Sequence, residues 1–266
     1  MKNNATREAW NETSLYHIKA VPFEEILSKI QNNQILNTKE MAVLKKLDLK
    51  NKHVCHLCCN NGREAIAISK VFSCFVLGVD ISDNAIEIAN KLQDADKANV
   101  QFVRSDVLDL MQNEKLKSAF DVVYITAGTL NWIDNLDEFF DVVNYLLKPK
   151  GKFFMYEIHP VCGMFDYKIK QCEVENNPQV TNNYFMKVLP VSTNGIDYLG
   201  HNVYQSKAVI EYQHTLTEIL SALIKSNFKL LEFWEDVEDI SAVYHNLENG
   251  NIPLSLVAIL EKENAK

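Results

Sequence analysis

The chain has 266 residues, 47% of them hydrophobic and 23% charged, which is typical of a globular protein and excludes a disordered one. Its 35 Asp and Glu residues outnumber its 27 Lys and Arg residues, and the formal net charge is −8. This acidity disfavours nucleic acid as a partner, because cationic side chains supply most of the affinity for phosphate backbones.

The first 49 residues predict helices. Apolar side chains recur at steps of three and four residues from Phe23 to Ile30, and again from Met41 to Leu47. The sequence has no apolar run long enough for a membrane span and begins without a secretory signal. We therefore expect residues 1–49 to form an N-terminal helical lid on a cytoplasmic protein that has no membrane partner.

Short apolar segments alternate with helical patterns from residue 53 onwards. The predicted strands cover residues 53–58, 75–80, 100–103, 120–125 and 152–157. This alternation predicts right-handed βαβ units, and hence a parallel sheet with helices on both faces. Ligands of such sheets bind beyond the carboxyl ends of the strands, so the residues at those ends are the candidates for a site.

The remainder of the chain divides into an insertion and a second group of core elements. Residues 161–213 are polar and aromatic without helical periodicity, which indicates an inserted cap. A helix and two strands are predicted after it. We interpret residues 50–160 as the ligand-binding core, 161–213 as a substrate cap, and 214–266 as the segment that completes the core sheet.

The loop after the first predicted strand has the sequence Cys58-Cys59-Asn60-Asn61-Gly62. A dinucleotide site prefers three glycines in such a loop, because glycine lets the backbone approach a pyrophosphate. Only Gly62 remains of that pattern, and side chains at Cys58 and Asn60 would crowd a diphosphate. The loop therefore favours a nucleoside that carries no phosphate.

Two acidic residues follow neighbouring strands. Asp80 ends the second predicted strand, where a carboxylate accepts hydrogen bonds from both hydroxyls of a ribose. Its alternative role is to cap the next helix, but Ser82 is already suited to that role. Asp106 follows the third strand, and its spacing fits equally an acceptor for an adenine amine and a solvated turn.

Four segments, in this order, resemble class I S-adenosylmethionine-dependent methyltransferases: Val54–Gly62, Gly78–Ser82, Ser105–Val107 and Phe120–Tyr124. Residues 149–152, with the sequence Pro-Lys-Gly-Lys, fit the same family. The first segment is similar to a bacterial small-molecule-type subgroup whose motif is approximately HLxCxxGxD/E. The resemblance implies an α/β fold with a Rossmann-like, mostly parallel seven-stranded sheet, helices on both faces and an antiparallel last strand. To this we add the inserted segment as an α/β cap.

The resemblance also implies the cofactor S-adenosylmethionine, the product S-adenosylhomocysteine and a role for each strand end. Asp80 would bind the ribose, Asp106 with Val107 the adenine, and the Cys58–Gly62 loop the methionine portion. His56 stands where the family usually has an acid, and glycines usually stand at two positions of the loop. The candidate cofactor-binding residues are Tyr16, His56, Cys58, Asn60, Gly62, Asp80, Ile81, Ser82, Asp106, Val107, Thr126 and Ala127.

Methyl transfer is an in-line displacement at a sulfonium methyl group, so the enzyme mainly aligns the acceptor and excludes water. An oxygen or protonated amine acceptor also needs a general base. His159, just beyond the fifth predicted strand, is the candidate because histidine titrates near neutrality. Its alternative role is in packing or as a turn donor. Glu157 points either into the same site or away from it.

The acceptor is constrained by what the chain lacks. After the fourth strand it has Thr126-Ala127-Gly128-Thr129 in place of the [DN]PPY motif of nucleic-acid amino methyltransferases. We therefore expect a small-molecule acceptor and no nucleic acid. The alternatives are a non-catalytic nucleoside-binding relative, a protein methyltransferase and, less well matched, an NAD-dependent oxidoreductase. Aromatic residues that either line an apolar pocket or pack the cap are Trp10, Tyr16, Phe23, Trp132, Phe165, Tyr167, Tyr184 and Tyr198.

Six cysteines are present, four of them between Cys55 and Cys74. Cys55 and Cys58 have CxxC spacing, but no second CxxC or His pair completes a zinc site. We therefore expect reduced, structural cysteines and no metal site.

Overall fold

The structure, a computed structural model, describes residues 4–165, 179–200, 202–248 and 251–263. Within these ranges seven strands form one sheet: β1 (His53–Leu57), β2 (Phe75–Asp80), β3 (Val100–Arg104), β4 (Phe120–Thr126), β5 (Leu147–Ile158), β6 (Phe228–Asp236) and β7 (Ser255–Lys262). The α-helices are α1 (Asn4–Ala20), α2 (Phe23–Gln31), α3 (Thr38–Lys46), α4 (Arg63–Phe72), α5 (Asp83–Asp96), α6 (Leu136–Leu146) and α7 (Leu216–Lys225).

The strand order in the sheet is β3-β2-β1-β4-β5-β7-β6. The first five strands pair in parallel, and β7 lies antiparallel between β5 and β6. The predicted Rossmann-like sheet with an antiparallel last strand is confirmed. Its order reverses between β1 and β4, where ligands of open α/β sheets bind.

Two apolar layers bury the sheet. On one face Phe139 and Phe140 of α6 and Leu223 of α7 pack against the strands. On the other face α2 to α4 contribute, among others, Ile30 and Ile66. Since both faces are covered, the inner strands are mostly apolar, which is why their sequences contain short apolar runs.

Two boundaries differ from the predictions. The strand β5 begins at Leu147, because Leu147 pairs with Phe120 before the register shifts, so the Pro149–Gly151 segment lies within a strand. Residues 4–20 form a full helix, α1, that lacks a continuous apolar stripe and rests on α5. None of the helices in the described ranges is long and apolar enough to span a lipid bilayer.

The insertion holds fewer regular elements than the predicted α/β cap. Its described residues form a short 3-10 helix, Pro160–Met164, and isolated β-bridges such as Val188–Tyr212 and Ser192–Val209, with no α-helix or extended strand. The residues of the insertion are polar and lack periodicity, so a helix or strand formed there would have no apolar face to bury. Tyr167 and Cys172 lie outside the described residues.

The five cysteines in the described ranges are free thiols: Cys55, Cys58, Cys59, Cys74 and Cys162. All but Cys58 are buried, in agreement with the expectation of reduced, structural cysteines. Among the residues that the structure describes, no three His, Cys, Asp or Glu side chains are grouped so that they could hold a metal ion.

Candidate active site

A cavity of about 260 Å³ lies at the carboxyl end of the sheet. The ends of β1, β2 and β4 and the segment after β3 form its floor. The helix α1 and residues of the insertion cover it, and the loop between β6 and β7 closes one side. The chain order of the strands therefore brings distant residues to one cavity.

The loop between β1 and α4 has the backbone conformation of a glycine-rich loop, although it contains a single glycine. Cys58, Asn60 and Gly62 all have positive φ angles, 53°, 49° and 74°. A Cβ atom at Gly62 would lie 2.4 Å from the Phe102 ring, so this position excludes a side chain. Cys58 and Asn60 line the cavity, whereas Gly62 precedes α4 and is not among the lining residues.

Asp80 connects this loop to the end of β2. Its Oδ2 accepts a hydrogen bond from the Asn60 amide at 2.8 Å, and its Oδ1 accepts from the Ser82 amide at 2.8 Å. Burial raises the pKa of Asp80, against the effect of these amides. Each carboxylate oxygen retains a second lone pair, so the group fits a ribose diol in the cavity that it lines.

The next strand end adds Asp106 and Val107 to the cavity, beside Ile81. Asp106 also caps the 3-10 helix Val107–Gln112, because its Oδ1 accepts from the Leu108 amide at 3.1 Å. An acidic group beside two aliphatic side chains suits a flat, apolar base that carries an amino group.

Glu157 binds the backbone of the loop that follows β4. The Gly128 and Thr129 amides donate to its two carboxylate oxygens at 2.6 and 2.9 Å. Burial raises the pKa of Glu157 to about 7. Glu157 is not among the lining residues, so its role is to fix the loop that places Thr126 and Ala127 in the cavity.

Cys58 presents a protonated thiol to this site. Burial raises its pKa well above the ordinary value, and the nearby Asp80 and Glu157 carboxylates raise it further. Because a thiolate is the reactive form, Cys58 is placed as a neutral contact and not as a nucleophile.

A polar cluster formed by His56, Arg63 and Glu64 lines another part of the cavity. The His56 side chain is 1% exposed, and neither ring nitrogen has a hydrogen-bond partner among the described residues. Burial lowers the pKa of His56 to about 4, so the imidazole is neutral at pH 7. Arg63 Nε donates to Glu64 Oε1 at 2.6 Å. The sequence reasoning missed Arg63 and Glu64, although they follow the binding loop directly.

The helix α1 and the insertion meet over the cavity. Trp10 of α1 makes an edge-on contact with Trp132 at 5.2 Å between ring centroids, and His17 contacts Tyr198 at 4.7 Å. His17 Nε2 lies 3.6 Å from the buried Asp197 carboxylate. Burial lowers the pKa of His17 to about 4, while Asp197 acts in the opposite direction. A neutral imidazole backed by a carboxylate therefore lines the cavity.

The sequence matches the model of the methyltransferase domain family over residues 48–250. The chain belongs to this methyltransferase family. The match includes the sheet up to β6 and the insertion, whereas α1 to α3 precede it. No curated protein shows a significant match to the sequence.

Solved structures share this methyltransferase fold. A Pyrococcus horikoshii OT3 protein has a TM-score of 0.62 at 20% identity, over 95% of this chain and 99% of its own. An S-adenosylmethionine dependent methyltransferase from Mesorhizobium loti has 0.60 at 19%, over 85% and 99%. Geranyl diphosphate C-methyltransferase from Streptomyces coelicolor A3(2), in complex with S-adenosyl-L-homocysteine, has 0.54 at 12%, over 84% and 76%. The predicted fold is thus confirmed, and the predicted cofactor and its product are named for the second and third of these structures respectively.

The methyltransferase cavity collects most of the residues predicted to bind the cofactor. The nine that line it are His56, Cys58, Asn60, Asp80, Ile81, Asp106, Val107, Thr126 and Ala127. Gly62, Ser82 and Tyr16 are not among them. Ser82 instead caps α5, since its hydroxyl accepts from the Ala85 amide, and Tyr16 stacks on Tyr204 at 4.0 Å. Helical spacing turns Tyr16 about 100° away from His17, the neighbouring residue that does line the cavity.

His159 is not placed as a general base. Its Nδ1 accepts from the Val161 amide at 3.1 Å, where it caps the 3-10 helix, and its Nε2 pairs with Glu235 at 2.7 Å. Both ring nitrogens are therefore engaged, and His159 is not among the cavity-lining residues. These contacts correspond to the alternative role that the sequence left open, that of a residue in a turn after β5.

The predicted aromatic residues divide between lining and packing. Trp10, Trp132 and Tyr198 line the cavity. Phe23, the first residue of α2, packs against the core, and the Tyr184 hydroxyl accepts from the Leu216 amide at 2.9 Å. The alternative that many of these residues pack the cap and lid is therefore correct for part of the set.

Proposed function

We propose that this methyltransferase transfers the methyl group of S-adenosylmethionine to an oxygen or nitrogen atom of a small-molecule metabolite, with S-adenosylhomocysteine as the product. The observation that carries the proposal is the cavity at the switch in strand order. One part of it has carboxylates suited to a nucleoside, and another part is apolar.

The cofactor end is built from the strand ends. Asp80 would accept from the ribose hydroxyls, and Asp106, Val107 and Ile81 would surround the adenine. The bound cofactor supplies a methyl group that is already activated. The protein therefore needs only to orient it and to exclude water, which the lid and insertion do by covering the cavity.

We assign the acceptor to the part of the cavity whose lining includes several apolar side chains. Trp132, Ile133 and Ile158 line it from the core, and Val243 lines it from the loop between β6 and β7. The lid and the insertion meet above it through Ala9, Ile196 and Val209. A concave pocket with apolar side chains in its lining suits a small molecule with an apolar body.

An oxygen or protonated amine acceptor must lose a proton, and His17 is the side chain placed to take it. His17 is neutral at pH 7 and lines the cavity, and Asp197 would stabilise the imidazolium as it forms. We therefore assign to His17 the role that the sequence had suggested for His159. We expect His17→Gln to lower kcat about 10²- to 10⁴-fold with little change in cofactor affinity. Equal losses of both would contradict the assignment.

The function is tested by incubating the protein with S-adenosylmethionine and a metabolite extract, and measuring S-adenosylhomocysteine and methylated products by mass spectrometry. A small-molecule product that Asp80→Asn fails to form supports the proposal. Methylation of added peptides with no metabolite product would instead indicate a protein methyltransferase. Absence of cofactor binding would leave the non-catalytic alternative.

A further inference from the structure

The part of the cavity assigned to the acceptor contains a carboxylate that the roles given above do not use. Glu211 of the insertion lines the cavity together with Trp10 of α1 and with Trp132, which follows β4. A carboxylate supplies the counter-charge for a cation, and the face of an indole ring attracts a cation through the ring quadrupole. These three side chains therefore bear on the charge of the acceptor.

We propose, on the basis of the proposed function, that the acceptor is a small molecule with a net positive charge, whose ammonium group is bound by Glu211 and by the indole rings of Trp10 and Trp132. A protonated amine and a quaternary ammonium group both have the required chemistry. The apolar side chains around them would contact the rest of the acceptor.

Two contacts place Glu211 beside the indole rings. The amide of the next residue, Tyr212, donates to the carbonyl oxygen of Asn131 at 2.8 Å, and Asn131 directly precedes Trp132. Val209, two residues before Glu211, belongs to the apolar cluster against which both indole rings pack. The chain on either side of Glu211 is thus attached to the segment that carries the rings.

The two indole rings form a corner. Their planes meet at 78° with the ring centroids 5.2 Å apart. Rings at nearly a right angle allow one compact cation to contact both of them, and Thr6, one turn before Trp10 on α1, adds a hydroxyl to the cavity lining. The His17 ring lies 6.2 Å from the Trp10 ring between centroids. An ammonium group in this corner would therefore lie near the side chain proposed to take a proton.

The charges of the whole cavity favour a cation. Its described lining residues include a single Lys or Arg side chain, Arg63, and this side chain donates to the neighbouring Glu64 through Nε at 2.6 Å. The imidazoles of His17 and His56 are neutral at pH 7, since burial lowers the pKa of each to about 4. The carboxylates in the lining are Glu64, Asp80, Asp106 and Glu211.

An anionic acceptor would be disfavoured by this arrangement. It would lie beside the Glu211 carboxylate, and the described lining near Trp132 offers it no cationic side chain. Bringing an unpaired charge into a partly buried site costs free energy, and a like charge beside it adds to that cost. The site therefore discriminates by charge as well as by shape.

The first test separates a metabolite extract at pH 7 on cation and anion exchangers. Each fraction is incubated with S-adenosylmethionine and the full chain, and S-adenosylhomocysteine is measured against a reaction without extract. We expect the acceptor in the fraction that the cation exchanger retains. An acceptor found only in the neutral or anionic fractions would overturn the inference and leave the proposed function intact. No product from any fraction would contradict the proposed function itself.

A second test uses the active fraction as the substrate of a charge variant. We expect Glu211→Gln to raise the acceptor KM about 10-fold or more, as for the loss of a hydrogen bond to a charged group, with the S-adenosylmethionine KM within about twofold. Glu211→Asp keeps the charge and should recover part of the loss. Glu25→Gln, which removes the exposed partner of Lys29, is the control and should change neither KM. An equal rise in both KM values would mean that Glu211 only holds the insertion in place.

The third test uses tetramethylammonium chloride as a probe of the cation site. It should inhibit methyl transfer competitively with the acceptor, whereas tert-butanol, a neutral molecule of similar size, and sodium chloride at equal ionic strength should not. Trp132→Leu should weaken this inhibition about 3- to 30-fold, and Trp132→Phe, which keeps an aromatic face, should weaken it less. Equal inhibition by tetramethylammonium and tert-butanol, or by neither, would contradict the assignment.

Discussion

Asp80 is the residue on which the nucleoside end of the site depends. It accepts from the amides of Asn60 and Ser82, and it lines the cavity with its carboxylate. The Asp80→Asn substitution removes the charge and keeps one acceptor oxygen. We expect it to weaken S-adenosylhomocysteine binding about 10- to 100-fold, the effect of losing hydrogen bonds to a charged group.

Calorimetry measures the affinity of the variant for S-adenosylhomocysteine, and circular dichroism checks that the variant is folded. Asp94→Asn, at an exposed position on α5, is the matched control and should bind as wild type. Unchanged affinity in Asp80→Asn would show that the end of β2 does not hold the ribose.

Glu157 should make the free energy of unfolding decrease as the pH rises, because its pKa is raised in the folded chain. Its folded-state pKa of about 7 lies above the ordinary value of 4.5. Its contribution to stability is therefore fully present below about pH 4.5 and is lost as the pH rises through 7. The loss amounts to about 3 kcal/mol at most, from the conversion of pKa difference to free energy.

Urea unfolding of wild type and Glu157→Gln between about pH 4.5 and pH 8 measures this term. The free energy of unfolding of the variant should gain on that of the wild type as the pH rises, because glutamine does not titrate. Parallel curves would mean that Glu157 has an ordinary pKa in the folded chain.

At the residue scale, the sequence could locate residues that stand at the ends of strands. Asp80 and Asp106 were found in this way, and the structure places both in the cavity. Arg63 was missed because a charged residue in the first turn of a helix is usually a solvated one. His17 was missed because only the folded insertion brings Asp197 and Tyr198 to it.

At the scale of elements, the helix α1 is attached to the core mainly by polar contacts. The Ser82 hydroxyl donates to Asn11 Oδ1 at 2.8 Å, and Asn11 Nδ2 donates to Asp83 at 3.0 Å. Arg7 adds an ion pair with Asp83 at 2.6 Å. Few apolar contacts and partly exposed hydrogen bonds are features of segments that open locally, so α1 is suited to be a lid.

We expect Asn11→Ala to increase hydrogen exchange in α1 and to weaken S-adenosylhomocysteine binding about 3- to 10-fold, because several hydrogen bonds worth about 1 kcal/mol each are lost. Exchange in the sheet should not change. Hydrogen–deuterium exchange with mass spectrometry measures both regions. Asn4→Ala is the control, since Asn4 bonds to Glu8 within the same helix. Equal exchange in α1 of the two variants would refute the lid.

The same scale shows what the sequence could predict of the fold. Apolar strands at regular spacing identified the parallel sheet, since inner strands are buried on both faces. The start of β5 was missed because its register shifts opposite Phe120 and Val122. The sequence predicted a helical lid over residues 1–49 without the bounds of α1, because polar contacts rather than an apolar stripe hold this helix. The insertion carries no periodicity, so its packing over the cavity depends on the rest of the fold.

For the whole molecule, the lid, the sheet and the insertion form one chamber whose walls come from distant parts of the chain. A ligand that fills it contacts all three, and binding should therefore raise the melting temperature of the entire chain. At a free ligand concentration 100-fold above the dissociation constant, the stabilisation is about 2.7 kcal/mol. The net charge of −8 agrees with a small-molecule ligand and disfavours a polyanionic one.

The central claim is that this chamber binds the S-adenosyl cofactor, and calorimetric titration of the wild-type chain with S-adenosylhomocysteine tests it most directly. The account predicts one saturable site per chain, with a dissociation constant between about 1 µM and 1 mM, the range in which enzymes bind their substrates. Competition by S-adenosylmethionine should abolish the signal. No binding at millimolar ligand, by a chain that is shown to be folded, would contradict the account.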